Sequence, residues 1–459
     1  MQQNKMKRNE NGNMARDNAK MGASNHTRNS TLNSKKSSKQ KEKQKKSSTS
    51  EPVYKYDIYG FVVEKNNNRY RNPRFNEGTP LITLKSKQSR RRRQRRQFQD
   101  HTNNPELESK REAKWIKMIN EWNAVSTEKR DLIKRRVRKG IPHKVRGRAW
   151  SMIADVPSKV KGEKKGLYRY LLKIASKQGQ ESDDKKINLH EAITNGKSAK
   201  KKFALQHSSG VSPSGEVFRE TIEKDIHRTY PTHKIFLRDE ESDDEDGIEA
   251  DLLRDKGGEA SLRRVLRAYS VIDPDVGYCQ GMNFISAMFI TLVSNEEEAF
   301  WLLENVMDTK SPCSMRGLFG DGMAQAQEVL YIAEKVIQQY LPKIAAHFER
   351  ENVHVTMFAT QWLLTNYSSN FSFDLVTRVW DCFLIEGWKI SYRVMLALLS
   401  IFERELLLMP FEEILGFLKQ MPIVVDGRGE LVMKEAFNIP LRTRFLEMCR
   451  TEYTKSRGA

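Results

Sequence analysis

The sequence predicts an all-α protein whose helical body follows a basic N-terminal segment without a core of its own. From residue 296 onward, apolar residues recur at helical spacing in one segment after another. Residues 261–269 and 282–293 show the same pattern on either side of a turn that contains glycines. Residues 1–50, in contrast, contain no Val, Ile or aromatic residue, so they cannot bury enough apolar surface to offset the entropy of ordering.

The predicted helices each have an apolar face, a start signal or a stop signal. Leu107, Trp115, Met118, Ile119 and Trp122 form the apolar face of a helix within 105–125. A second lead-in helix, 128–139, ends at the break Gly140-Ile141-Pro142. The remaining predicted helices are 143–154, 167–175, 296–307, 324–340, 355–365, 374–385, 392–408, 411–419 and 441–453.

The charge distribution separates the N-terminal segment from the body. Hydrophobic residues make up only 38% of the chain and charged residues 30%, so part of the chain must lie outside any core. Residues 1–100 hold 26 Lys and Arg against 8 Asp and Glu, a balance of +18. The remainder holds 54 against 51, a balance of +3. The basic character therefore belongs to the N-terminal segment.

The run Arg90–Arg96 (RRRRQRR) is the most basic part of that segment. It is typical of a nuclear localisation signal, a nucleic-acid contact, a contact with anionic lipid headgroups, or a solvated run with no fixed partner. The run has no interleaved aromatic residues and the chain has no zinc-finger spacing, so we expect no specific nucleic acid. Contact with an anionic membrane stays open.

Two polar stretches interrupt the helical pattern, and one aromatic stretch precedes it. Residues 176–215 are too long and polar for an ordinary connection, and we predict a largely disordered insertion there. Residues 239–251 are acidic and are predicted to form a loop. The piece Asp57-Ile58-Tyr59-Gly60-Phe61 is predicted to dock on the body as an extended arm.

The stretch 218–231 (FRETIEKDIHRTYP) contains the first candidate site residue. Asp225 and Arg228 are three residues apart, so on a helix the carboxylate and the guanidinium can meet. Pro231 cannot continue the helix, which places Arg228 in its last turn. An arginine held by an aspartate can reach a phosphate outside the protein, or it can simply complement the helix dipole. A buried stripe is predicted at Phe218, Ile222, Ile226 and Thr229.

The second candidate is the turn Gly277-Tyr278-Cys279-Gln280-Gly281. Glycines there allow the backbone to approach another backbone or a ligand closely. By itself the turn is more typical of an ordinary interhelical connection in which Gln280 caps a helix. Cys279 is interpreted as a small buried hydrophobe and not as a nucleophile. The four cysteines, at 279, 313, 382 and 449, show no metal-ligand spacing, so no metal site is expected.

Taken together, I-x-x-D-x-x-R (Ile222, Asp225, Arg228) and Y-x-Q (Tyr278, Gln280) resemble the paired signature of the TBC domain family, the GTPase-activating proteins for Rab GTPases. Further blocks appear in the family's order over residues 139–390. They are Lys139–Pro142 with Arg146, Gly147 and Trp150, then Phe358–Trp362, Arg378–Asp381 and Glu386–Trp388. Two positions depart from the pattern: Tyr230 replaces a more usual phenylalanine, and 368–372 (SSNFS) lacks a Leu-Pro pair.

The resemblance implies an all-helical domain of two helical subdomains. Residues 1–105 are predicted to be a basic, largely disordered N-terminal segment, 106–138 the lead-in helices, 139–390 the TBC domain and 391–459 the helices that complete it. Arg228 and Gln280 are implied as catalytic residues supplied in trans to a Rab in its GTP form. Asp225, Ile222, Tyr278, Gly277 and Gly281 are implied as supporting residues.

No cofactor is expected, because Mg²⁺ and GTP belong to the partner and the chain has no G-x-x-x-x-G-K-[ST] loop. With no signal peptide, membrane-length apolar run or lipidation motif, the expected localisation is cytoplasmic, or peripheral on endomembranes or the plasma membrane. Two other functions stay open. One is a non-catalytic helical scaffold of the same fold, and the other is a membrane- or nucleic-acid-binding protein that acts through the basic segment.

Overall fold

Helices dominate the computed structural model, which describes residues 55–63, 105–162, 164–177, 214–237, 256–293 and 295–457. The predicted all-α fold class is confirmed. The α-helices are α1 Pro105–Asn120, α2 Trp122–Glu128, α3 Arg130–Arg138, α4 His143–Ile153, α5 Val156–Lys161, α6 Leu167–Lys177, α7 Ser214–Ile226, α8 Gly258–Ile272, α9 Met282–Leu292, α10 Glu296–Met307, α11 Ala324–Tyr340, α12 Pro342–Arg350, α13 Ala359–Leu363, α14 Phe373–Glu386, α15 Trp388–Ile401, α16 Glu403–Leu406, α17 Phe411–Val424, α18 Gly429–Asn438 and α19 Thr443–Arg457. Short 3₁₀ turns lie at Arg316–Leu318, Asp321–Met323 and Val355–Met357.

The predicted arm is a small antiparallel hairpin, β1 Lys55–Tyr56 and β2 Val62–Val63. The carboxylate of Asp57 closes the turn, because its Oδ1 accepts hydrogen bonds from the backbone N–H of Tyr59 and of Phe61, each at 2.9 Å. Phe61 is 2% exposed, so the hairpin docks on the body. The piece predicted to dock on the body therefore does so, and we call residues 55–63 the arm.

A buried aspartate ties the opening motif to the later motifs that the sequence analysis singled out. Asp381 on α14 is fully buried and accepts hydrogen bonds from the backbone N–H of Ile141 (3.0 Å), from Nε of Arg146 (3.0 Å) and from Nε1 of Trp150 (2.9 Å). Glu386, five residues further along the chain, accepts from Nε of Arg138 at 2.6 Å. These contacts hold α3, α4 and α14 together.

The candidate site lies among α7, α8 and α9. The helix α8 packs against α6, α7 and α9, and α9 packs on α10, so α8 is central to this part of the fold. Gly147 allows α4 to approach the end of α9 closely. A Cβ at this position would lie 2.1 Å from the carbonyl oxygen of Leu292.

Several sequence predictions fall wholly or largely outside the described residues. They are the basic run Arg90–Arg96, the acidic loop 239–251 and most of the polar insertion 176–215. The insertion bounds need adjustment at both ends, since α6 extends to Lys177 and α7 starts at Ser214. Among the helices in the described part of the chain, none is long and apolar enough to cross a membrane.

Candidate functional site

The arginine segment, residues 225–231, begins in the last turn of α7. Ile222 and Ile226 are fully buried, as the helical spacing predicts. The helix ends at Ile226, two residues before Arg228, so the expectation that Arg228 lies in the last helical turn is wrong. The reason is the backbone at Tyr230, whose φ of +45° is left-handed, followed by Pro231, which has no N–H to donate.

Asp225 and Arg228 meet as predicted from their spacing. A terminal guanidinium nitrogen of Arg228 lies 2.5 Å from Oδ1 of Asp225. The Asp225 side chain is only 5% exposed, whereas that of Arg228 is 46% exposed. A buried carboxylate thus anchors a cation that reaches the surface.

Tyr278 holds the other oxygen of the same carboxylate. Its hydroxyl donates to Oδ2 of Asp225 at 2.5 Å, and both side chains are buried. Burial, together with the neighbouring carboxylate, raises the pKa of Tyr278 far above its usual value, so the hydroxyl remains a donor at neutral pH. With one oxygen on Tyr278 and the other on Arg228, the Asp225 carboxylate has a defined orientation.

Asn283 joins the arginine segment to the turn 277–281, and the sequence analysis missed it. Its Nδ2 donates to Oγ1 of Thr229 at 2.7 Å, and its Oδ1 accepts from the backbone N–H of Gly281 at 3.0 Å. Asn283 is fully buried. The available signal was a lone amide at the start of the apolar run 282–293. The residues after Arg228 and after Gln280 are therefore linked through one side chain.

The two glycines of the turn 277–281 serve different contacts. At Gly277 (φ +58°) a Cβ would lie 2.1 Å from the ring of Phe218, so this glycine lets the turn pack on α7. At Gly281 (φ +111°) a Cβ would lie 3.2 Å from the Cγ2 methyl of Thr365. Both positions require left-handed backbone that favours glycine.

Gln280 is exposed between these buried neighbours. The adjacent Cys279 is half-buried, and burial raises the pKa of its thiol, which supports its interpretation as a small hydrophobe. The site thus presents an amide and a guanidinium to solvent from two segments that hydrogen bonds connect. Such a pair can donate hydrogen bonds to anionic oxygens and orient a water molecule.

The two departures from the family pattern meet in space. The Tyr230 hydroxyl lies 2.7 Å from the carbonyl oxygen of Ser368 and 3.1 Å from that of Phe284. A phenylalanine could make neither contact. Left-handed backbone at a non-glycine residue costs about 1–3 kcal/mol and persists only where the surroundings determine it. The buried hydrogen bonds of Tyr230 are part of those surroundings.

A cavity of about 200 Å³ lies beside the arginine segment. It is lined by Asp57, Tyr59, Phe61, Val63, Tyr230, Pro231, Ser369, Phe371, Ser372, Phe373, Asp374, Asp426 and Gly427. Burial raises the pKa of the Asp374 carboxyl to about 6. Across the described residues, no three His, Cys, Asp or Glu side chains are grouped so that they could hold a metal ion.

Comparison with known families finds one matching family model. The model of the Rab-GTPase-TBC domain matches residues 143–407, which contain every candidate site residue. The matched range extends past the 139–390 of the sequence motifs, through α15 and α16.

Similar proteins come from animals and yeast. The human ecotropic viral integration site 5 protein homolog is 29% identical over 341 residues, which cover 74% of this chain and 34% of that protein. TBC1 domain family member whacked of Drosophila melanogaster is 28% identical over 290 residues, or 63% of this chain and 64% of that protein. GTPase-activating protein GYP5 of Saccharomyces cerevisiae is 28% identical over 305 residues, or 66% of this chain and 26% of that protein. The chain thus spans about a third of the human relative's length.

Among solved structures, the crystal structure of the Chlamydomonas flagellar RabGAP TBC domain is similar, with a TM-score of 0.54. The aligned residues are 24% identical and cover 83% of this chain and 99% of that one. At this identity the likeness concerns the fold alone.

Proposed function

This chain belongs to the Rab-GTPase-TBC domain family, and we propose that it is a GTPase-activating protein for a Rab-family small GTPase in its GTP form. It supplies catalytic groups in trans and is not itself a nucleotide hydrolase. The observation that carries the proposal is the exposed Arg228 guanidinium anchored on the buried carboxylate of Asp225. A relative at 28% identity carries the name GTPase-activating protein, which supports the same activity.

Arg228 supplies positive charge to the partner's nucleotide site. GTP hydrolysis moves negative charge toward the oxygens between the β- and γ-phosphates, and the protein acts by positioning and electrostatic stabilisation. The planar guanidinium can donate two hydrogen bonds to phosphate oxygens at once. An arginine of this kind is worth ~10³–10⁵ in rate.

Asp225 and Tyr278 prepare Arg228 for this contact. Since Asp225 already holds the guanidinium, less side-chain entropy is lost when Arg228 engages the phosphates. The Tyr278 hydroxyl fixes the carboxylate in turn. Neither residue touches the substrate, so both are positioning residues.

Gln280 orients the attacking water, a task usually left to the glutamine of the GTPase. Support comes from its exposure and from the link of Gly281 to Thr229 through Asn283, which couples the turn 277–281 to the arginine segment. We assign Mg²⁺ and GTP to the partner, because the sequence contains no phosphate-binding loop of its own. The proposed setting is vesicle trafficking, with the chain cytoplasmic or peripherally associated with an anionic membrane through Arg90–Arg96.

Phosphate release from a panel of purified, GTP-loaded Rabs tests the activity. The full chain is compared with Arg228→Ala, Arg228→Lys and, as the matched control, Lys224→Ala, which removes an exposed cation one turn earlier on α7. Stimulation by the two Arg228 variants should fall by ~10³-fold or more, because neither alanine nor a point charge reproduces the planar fork. Lys224→Ala should behave as wild type.

Two results would contradict the proposal. Substantial activity in Arg228→Ala, with unchanged circular dichroism, removes Arg228 from the mechanism. A wild-type chain that binds a GTP-loaded Rab but stimulates none in the panel is a scaffold of the same fold.

A further inference from the structure

We propose that the arm, residues 55–63, is a positioning element for the arginine segment, acting through Phe61 and through its backbone pairing with residues 232–234. The inference rests on the proposed function, because it assigns the arm a role in presenting Arg228. It extends the prediction from the sequence that residues 57–61 dock on the folded body.

The arm pairs with the backbone directly after the arginine segment. The N–H of Val62 donates to the carbonyl oxygen of Thr232 at 2.9 Å. The N–H of Lys234 donates to the carbonyl oxygen of Gly60 at 2.8 Å. Between them, Phe61 and His233 form an antiparallel bridge. The arm thus continues as a short ladder with residues 232–234, which begin four residues after Arg228.

His233 adds a side-chain contact whose direction the structure determines. Its Nδ1 accepts from the N–H of Ile235 at 3.2 Å, so that nitrogen carries no proton. Nε2 therefore carries the proton and donates to the carbonyl oxygen of Tyr59, 2.7 Å away. Burial lowers the pKa of His233 to about 4, which keeps this neutral form at physiological pH.

The Phe61 ring supports the arginine segment itself. It is buried edge-on against Tyr230, with ring centroids 5.7 Å apart, and against Phe373 at 4.8 Å. Tyr230 is the left-handed residue that ends the segment, and its ring also meets Phe373 at 5.3 Å. Removing Phe61 takes away one wall of the pocket that holds this backbone conformation.

Arg228 consequently lies between two anchors. Asp225, Tyr278 and Asn283 hold the segment on its N-terminal side and at Thr229. Tyr230 and the arm hold it on the C-terminal side. If the second anchor is released, residues 228–231 can shift relative to the turn 277–281. A misplacement of about 1 Å can cost ~10²-fold in rate.

The test uses the full chain with Phe61→Ala and a matched control from the same hairpin, Ile58→Ala, whose side chain is 71% exposed. Single-turnover GTP hydrolysis by a responsive Rab is measured against activator concentration, giving the maximal rate and the half-saturating concentration, with thermal melting in parallel. Phe61→Ala should lower the maximal rate about tenfold, within the range expected for a small misplacement, and change the half-saturating concentration far less. Ile58→Ala should match wild type, and Phe61→Leu should recover most of the lost rate.

Truncations provide a second comparison that does not depend on one substitution. Residues 54–459 form a compact unit, so deletion of 1–53 leaves the arm in place, whereas deletion of 1–63 removes it. Only the longer deletion should lower the maximal rate.

An unchanged maximal rate in Phe61→Ala and in the 1–63 deletion, even with a lower melting temperature, overturns the positioning role and leaves the proposed function intact. The positioning role is also overturned if the rate of each variant falls only in proportion to the fraction of that variant that is unfolded. A wild-type chain without stimulation instead overturns the proposed function, and an Arg228→Ala variant with full stimulation overturns the role of Arg228. The arm's role fails in either case.

Discussion

Replacing Asn283 should damage both stability and catalysis, because this one side chain joins the segments that carry Arg228 and Gln280. Asn283→Ala removes the hydrogen bonds to Thr229 and Gly281. It also leaves the buried Gly281 N–H without that partner, whereas Thr229 keeps its own bond to the carbonyl oxygen of Asp225 at 2.6 Å. The two segments then lose the Asn283 link and keep the hydrogen bond of Tyr278 to Asp225.

The magnitude follows from these contacts. Two buried hydrogen bonds contribute about 0.5–1.5 kcal/mol each, and an unsatisfied buried N–H adds about 1–3 kcal/mol. We therefore expect Asn283→Ala to lower the free energy of unfolding by about 2–6 kcal/mol. Asn283→Asp has the same shape but brings a second acceptor toward Thr229 Oγ1, whose proton is already donated. Because burial favours the neutral carboxyl, its penalty should be larger at pH 7 than at pH 5.

Urea unfolding and single-turnover GTP hydrolysis together provide the assay. The control is Asn295→Ala, which removes the N-cap of α10. Its side chain accepts from the Glu297 N–H at 2.9 Å, and its loss should cost about 1 kcal/mol. The maximal rate should fall at least tenfold in Asn283→Ala and stay unchanged in Asn295→Ala. If Asn283→Ala is destabilised but fully active below its melting transition, the reasoning that Asn283 couples the two segments is refuted.

Three further predictions concern single contacts. Asp225→Ala should lower the maximal single-turnover rate more than the affinity for the Rab, because the Arg228 guanidinium loses the carboxylate that lies 2.5 Å away. Weakened binding at an unchanged rate would mean that Asp225 serves docking. A Rab whose own catalytic glutamine is replaced by leucine should still be stimulated by the wild-type chain but not by Gln280→Ala. If both chains give equal phosphate release on an unmodified Rab, Gln280 is a turn residue only. The folded pKa of Asp374, about 6, lies above its unfolded value, so its stability contribution is complete below pH 3.8 and lost as pH rises through 6. In Asp374→Asn the unfolding free energy, measured by urea titration at each pH, should decline less steeply between pH 4 and 6. The same dependence on pH in the variant and the wild type would contradict the assignment of this decline to Asp374.

Local spacing in the sequence determined the helical class and the first contact of the site. A period near 3.6 predicts the burial of Ile222 and Ile226, and both are fully buried. Asp225 and Arg228 meet at the predicted three-residue spacing, although Arg228 lies two residues beyond the end of α7. Composition likewise distinguished the basic segment from the body. These features depend on neighbours in the chain, so the chain alone is sufficient to predict them.

Only the tertiary structure decided how the segments support one another. Tyr278 reaches Asp225 across 53 residues and Asn283 reaches Thr229 across 54, and no spacing rule predicts which helices pack side by side. The left-handed backbone of Tyr230 is the clearest case. A residue before proline is expected in extended conformation, yet Tyr230 is left-handed. Its hydroxyl makes buried hydrogen bonds to Ser368 and Phe284, and its ring packs on Phe61. Contacts from three distant parts of the chain thus hold this residue against a local preference worth about 1–3 kcal/mol.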